Sequence, residues 1–242
     1  MEQEGAALID IGGESTRPGA PSVNEAEELD RVMPVIEALT REFALPLSID
    51  TSKSAVAAAA VAAGVEFVND ISGLTYDPQM AAVVAASDAG LIVMHTRGKP
   101  EAMQQNTDYD AVVGDVVSSL QRSISRAEAA GVALDKIAID PGIGFGKDAA
   151  GNLELLRQTA TLAALGRPIM LGTSRKSFIG QVLDQKVPAD RLLGTMATLA
   201  LGYAGGARMF RVHDVAAARQ TVLMAQAVCA GAEWAASKPS LL

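Results

Sequence analysis

Seven short apolar runs along the chain end abruptly in polar or charged residues: Ala7 to Gly13 (ALIDIGG), Leu45 to Thr51 (LPLSIDT), Phe67 to Gly73 (FVNDISG), Leu91 to Thr96 (LIVMHT), Ile137 to Gly142 (IAIDPG), Pro168 to Ser174 (PIMLGTS) and Met209 to Val215 (MFRVHDV). Nearly continuous apolar runs of this length suit strands buried on both faces, the mark of a parallel sheet. The stretches between them read as helices with recognisable ends. Ser22 and Glu25 have capping-box spacing ahead of an amphipathic run to Arg41, Gly64 and Gly131 stand at C-cap positions, and Asp214 is placed to cap the last helix. Strand alternating with helix predicts an α/β fold, since parallel neighbours need helical crossovers.

A closed barrel fits this pattern better than an open doubly wound sheet. Nearly every predicted strand carries its polar residues at the C-terminal end, the face where barrels assemble sites from many strands. An open sheet concentrates them at one switch point. The expectation is a TIM (β/α)8-type barrel with seven recognisable strands, forming one domain over residues 1–242, in which the first βα unit is largely missing. No interdomain linker, charge block or low-complexity tract interrupts it. The longest irregular stretch, Arg97 to Tyr109, follows a strand and is expected to shape the mouth of a site.

Composition narrows the partners. Hydrophobic residues make up 49% of the 242 positions and aromatics only 4%, so the core falls to Ala, Val, Leu, Ile and Met. A net charge of -8 repels a polyanionic backbone, and few aromatics are available to stack bases; nucleic acid is excluded as a partner, while small anions can still enter a local basic pocket. The single cysteine, Cys229, lies in an Ala-rich helical stretch and reads as a buried structural thiol. The opening residues MEQEGAALID lack the basic segment of a secretory signal, and the longest apolar stretch, Ala55 to Ala63, is too short to span a bilayer. The expected setting is cytoplasmic, away from membranes.

Candidate chemistry gathers at the strand ends. Gly12 to Gly19 (GGESTRPG) reads either as a tight turn or as an anion loop, with Thr16 and Arg17 adding donors to those of the backbone. Gly142 to Lys147 (GIGFGK) lacks P-loop spacing and has Asp148 where a hydroxyl residue is required, which leaves a flexible loop whose Phe145 can touch a ligand. Asp50, Asn69, Asp140 and Lys176 come from four strand ends and together suit a heterocycle with paired N–H donors and ring acceptors, although either aspartate alone reads as a cap. Gly172 to Ser177 (GTSRKS) places Arg175 and Lys176 at a helix N-terminus, a setting for a carboxylate or phosphate. Arg211 and His213 alternate onto one side of the last strand as an anion grip. His95, the other histidine, reads as a structural hydrogen-bonding residue, and no ligand spacing supports a metal centre.

Together DIGGESTRPG (Asp10 to Gly19), IDTSK (Ile49 to Lys53), NDISG (Asn69 to Gly73), DPGIGFGK (Asp140 to Lys147), GTSRKS (Gly172 to Ser177) and FRVHDV (Phe210 to Val215) resemble the dihydropteroate synthase family over essentially the whole chain. The order and spacing of the six carry the resemblance. It implies a transferase joining 6-hydroxymethyl-7,8-dihydropterin pyrophosphate to para-aminobenzoate, with Mg2+ and a homodimeric assembly. Carried over residue by residue, Asp50, Asn69, Met94, Asp140, Lys176 and Arg211 bind the pterin, and Thr16, Arg211 and His213 the pyrophosphate. Pro18, Phe145, Arg175, Lys176 and Ser177 receive the aminobenzoate, and the catalytic set is Asp50, Lys176, Arg211 and His213. The family's metal-facing Asn belongs to a first strand and loop that have no counterpart here, so no metal ligand is assigned and Met1 is expected to be internal to a longer parent. Two alternatives stand beside this reading. A methyltetrahydrofolate-dependent methyltransferase shares Asp50, Asn69 and Asp140, but GTSRKS and FRVHDV argue against it because a methyl donor needs no pyrophosphate grip; a noncatalytic pterin-binding remnant is the other.

Overall fold

In the computed structural model, which describes residues 1–236, a strand coincides with each of the seven apolar runs, β4 starting one residue ahead of its run. These are β1 (Ile9–Gly12), β2 (Leu47–Asp50), β3 (Phe67–Asp70), β4 (Gly90–Met94), β5 (Ile137–Asp140), β6 (Met170–Leu171) and β7 (Met209–Phe210). Strands β1 to β5 pair in parallel in chain order, β6 pairs with β7, and an Ile139–Ile169 bridge joins the two sets. The crossovers carry the main helices: α1 (Glu25–Glu42), α2 (Ser54–Ala62), α3 (Met80–Ala85), α4 (Val112–Ala130), α5 (Ala149–Arg157), α6 (Ser177–Leu183), α7 (Leu192–Ala204) and α8 (Val215–Ala230). A short α9 (Ala232–Ala236) follows them. The sheet curls until its ends meet, for Arg211, just beyond β7, forms ion pairs with Asp10 on β1 and Asp50 on β2. Among the described residues no backbone ladder joins β7 to β1, so side chains make that link.

Two apolar layers follow from strand alternation. Outward residues such as Ile49, Val68, Leu91, Val93, Ile137 and Ile139 pack against Val32 and Ile36 of α1, Val56 and Ala60 of α2, and Leu120 and Ile124 of α4 in one large core. The inward layer is small: Ile92, Ala138 and Met170, with Met209 against them, plug the barrel. Polar inward positions form a step beside this plug: register sets Asp50 and Asn69 on the same rung as Ile92 and Ala138, and Asp140, next to Met94, lies two residues further on. The apolar plug forms the floor of the site, and the polar step forms its walls.

Three local expectations change. Helix α1 is capped by Asn24, whose side chain accepts the Glu27 N–H at 3.0 Å; Ser22 lies too early for its box with Glu25, which is the first helical residue. Asp214 precedes α8 without capping it, since its carboxylate is drawn to Arg175. Cys229 is exposed, because α8 buries only Val215 and Ala218. Gly64 and Gly131 do take left-handed conformations after α2 and α4, with φ of 104° and 102°.

Candidate active site

Arg211 organises the barrel mouth. Its Nη2 donates to Asp50 Oδ2 at 2.8 Å and its Nε to Asp10 Oδ2 at 2.5 Å, while Asn69 Nδ2 reaches the same Asp10 oxygen at 3.4 Å. The other oxygens, Asp10 Oδ1 and Asp50 Oδ1, are buried without a partner. Buried acceptors of that kind are costly unless a donor reaches them, so they suit the paired N–H groups of a heterocycle. Burial, and then the neighbouring Asp10 charge, push the Asp50 carboxyl up to about 7, against the pull of Arg211.

Opposite, Gly172 follows β6 without a side chain. A Cβ there would lie 3.9 Å from Asp140 Oδ2, 3.9 Å from the Arg211 Cβ and 4.0 Å from Lys176 Nζ, so these three groups surround one bare stretch of backbone. Asp140 Oδ1 accepts the Gly142 N–H at 2.7 Å, and burial raises its pKa. Burial lowers Lys176 to about 8. Its ammonium donates to the Ile143 carbonyl and lies 4.4 Å over the Phe145 ring. Asp50, Asn69, Asp140, Lys176 and Arg211 thereby share one mouth, and Met94 lies in register with Asp140.

His213 stands at the rim, its Nδ1 2.9 Å from Ser174 Oγ, which also accepts the His213 N–H at 3.2 Å. Burial and the nearby Arg175 and Arg211 lower its pKa. Thr16 lines a cavity of about 290 Å³ together with Asp50 and Lys53, whereas Pro18 and Ser177 are exposed at the surface. Arg175 is not turned to the mouth: it holds left-handed backbone (φ 58°), and its guanidinium grips Asp214 through Nε at 3.0 Å and Nη2 at 2.6 Å.

Sequence reasoning passed over two residues here. Asp10 was visible as the lone acid inside an apolar strand run, the same signal that marked Asp50. Lys147, set aside with the rejected P-loop, is buried and donates to the carbonyls of Gly142 and Phe145, each at 2.8 Å, and of His95 at 3.4 Å. It ties the 142–147 turn that presents Phe145, and burial pulls its pKa down to about 7. The hydrogen bond expected of His95 is missing at Nδ1, which is buried without a partner, and burial lowers this side chain to about 3. Among the described residues no three His, Cys, Asp or Glu side chains converge as a metal cage, and no helix is long and apolar enough to cross a membrane.

A parallel barrel with a carboxylate-rich, guanidinium-bridged mouth defines an enzyme that takes a polar heterocycle, and the chain belongs to the pterin-binding enzyme family, whose pattern matches residues 1–213. Dihydropteroate synthases are among its relatives. The Synechocystis dihydropteroate synthase is 48% identical over 228 residues, covering 94% of this chain and 79% of that protein. The Yersinia pestis dihydropteroate synthase in complex with a sulfonamide drug superposes with a TM-score of 0.91 at 41% identity, covering 95% of this chain and 83% of the other. The Xanthomonas albilineans enzyme in complex with 7,8-dihydropteroate gives 0.86 at 41% identity, with 95% and 84% covered.

Proposed function

We propose that this protein is a dihydropteroate synthase: it transfers the pterin-methyl group from 6-hydroxymethyl-7,8-dihydropterin pyrophosphate to the amine of para-aminobenzoate. The observation that carries the reading is the pair of unpartnered carboxylate oxygens on Asp10 and Asp50, set beside Arg211 and across the mouth from Asp140 and Lys176. Such a set grips an amino-pyrimidinone edge and also carries positive charge toward an anionic leaving group.

The reaction breaks the methylene C–O bond and forms a C–N bond. The electron pair of the broken bond leaves with pyrophosphate, and the new ammonium sheds its proton to solvent. Arg211, with His213 and Thr16 at the rim, stabilises the charge growing on the leaving group; donors fixed beforehand in a partly dry site do this without reorganising. Ionised Asp50 stabilises the cation that forms on the pterin. Lys176 and Phe145 flank the aryl amine, and Ser177 meets its carboxylate. Arg175 contributes indirectly, by fixing the turn between β6 and α6 through Asp214.

Mg2+ belongs to this proposal as a companion of the pyrophosphate substrate, since these residues form no cage for a resident ion and Mg2+ commonly binds through substrate phosphates with few protein ligands. A cytoplasmic setting suits the exposed, unpaired thiol of Cys229. A homodimer is proposed through the uncharged outer faces of α7 and α8. The reaction is tested by coupled pyrophosphate release: product is expected only when both substrates are supplied, and pterin binding by the folded protein without turnover would overturn the assignment.

A further inference from the structure

Two motif residues have no part in this chemistry, Glu14 in GGESTRPG and Lys53 in IDTSK. They meet in the structure. Lys53 Nζ donates to Glu14 and, at 2.5 Å, to Glu28 Oε2 on α1. Glu28 is fully buried, and its Oε1 has no partner. Two carboxylates thus share one ammonium in the wall of the cavity that Thr16 and Asp50 also line. Burial works against the Lys53 charge, but the bonds to both carboxylates outweigh it and its pKa rises. Because a buried carboxylate is tolerated only when paired, Lys53 fixes how the three groups sit.

The same cluster holds one end of a loop. Glu14 Oε1 accepts the Val23 N–H at 3.2 Å, which closes residues 14–23 on themselves. Just before the loop, Gly13 is pressed onto α1: a Cβ there would lie 2.8 Å from Val32 Cγ1 and 2.9 Å from Glu28 Cγ, and Arg31 Nη1 donates to the Gly13 carbonyl at 2.8 Å. At the far end the loop is held by a backbone bond, Gly19 N–H to the Pro100 carbonyl at 3.0 Å. The base is fixed by charge and packing, and Thr16 and Pro18 project from it.

We infer that Lys53, acting through Glu14 and Glu28, is a positioning residue that sets the angle of the 14–23 loop and so places Thr16 and Pro18 over the reacting groups. The kinetic part of this inference rests on the synthase reading; the loop-ordering part does not. Lys53→Met and Glu14→Ala both release the base, and Glu14→Ala leaves the Lys53–Glu28 pair intact, so it carries the test if Lys53→Met fails to fold. Hydrogen exchange of residues 14–23 is expected to quicken by at least about tenfold in either variant. Turnover is expected to fall by about tenfold to a hundredfold, as for a misplaced reacting geometry, while calorimetric affinity for a pterin lacking pyrophosphate stays within about threefold of the parent. Lys53→Arg is expected to restore loop protection and turnover. Unchanged exchange in Glu14→Ala, or pterin affinity falling in step with turnover, would overturn the inference. If even the parent lacks turnover, the synthase reading fails while the exchange result still decides the loop's anchor.

Discussion

Asp50 holds the charge balance on which ligand capture depends. Burial and Asp10 raise its pKa to about 7, and Arg211 works the other way. The ionised carboxylate accepts the pterin N–H donors, and protonation removes that capacity. Pterin affinity is therefore expected to weaken by up to about tenfold per pH unit below the pKa of Asp50 and to level off above it. Asp10→Asn removes the like charge and leaves Arg211 to Asp50 alone. Both changes favour the ionised form, so the acid limb should move to lower pH; calorimetric titrations of both proteins across the neutral range read this directly, and an unmoved limb would rule it out. Single residues differ in how far the sequence reveals them. Asp50, Asn69 and Asp140 stand out because a polar residue ends an apolar run. The same signal at Asp10 went unused, since its partner Arg211 is 201 residues away and nothing local announces it. Arg175 looked like a ligand because it neighbours Lys176, yet a left-handed turn at that one residue directs it to Asp214.

Among the connecting elements, the 142–147 turn bears most on the site, for it carries Phe145 and meets Lys176. Gly142 has φ 68°, and a Cβ added there would lie 1.9 Å from the His95 carbonyl oxygen, a backbone atom that cannot swing aside. Gly166 has nearly the same φ, 64°, with nothing within 4 Å. Gly142→Ala and Gly166→Ala thus share the left-handed cost, and only the first adds a collision. Gly166→Ala is expected to lose about 1 kcal/mol and Gly142→Ala more than about 3 kcal/mol, as read by denaturant unfolding; equal losses would show that the turn yields. All seven strands were legible as apolar runs: burial on both faces accounts for β2, β4, β5 and β6, while β1 and β7, where the sheet ends meet, keep the pattern although only partly buried. Helix starts were less so: Ser22 with Glu25 and Asn24 before Glu25 are both good local signals, and only the position where the backbone turns helical decides between them.

At the scale of the whole molecule, charge is distributed unevenly over the helical shell. Helix α1 begins with Glu25, Glu27 and Glu28, whereas α7 contains no charged residue and α8 only Arg219. Along α7 the exposed positions Leu193, Ala197, Leu201 and Ala204 recur at helical spacing, and along α8 Ala216, Gln220, Met224 and Val228 do the same. Leu193 is 80% exposed, Leu201 67%, Met224 63% and Val228 67%. The two helices pack side by side, so their stripes lie on neighbouring helices. This is why Cys229 was expected inside: an apolar, Ala-rich helix reads as core, but the chain's own core covers only its first turn. An apolar patch of this kind marks an interface, and one nearly free of charge favours the same patch on a second copy, because a two-fold contact sets each group near its own equivalent and charges there would repel. A stable pair needs at least about 1,000 Å² buried, which two exposed helix faces can supply. Light scattering is expected to give twice the chain mass for the parent. Leu201→Glu combined with Met224→Lys should give the single mass with helical content unchanged, because both positions face solvent in the isolated chain and their loss costs the fold little. A parent that stays monomeric at micromolar concentration would sink the proposal, and the uncharged face would then need another partner.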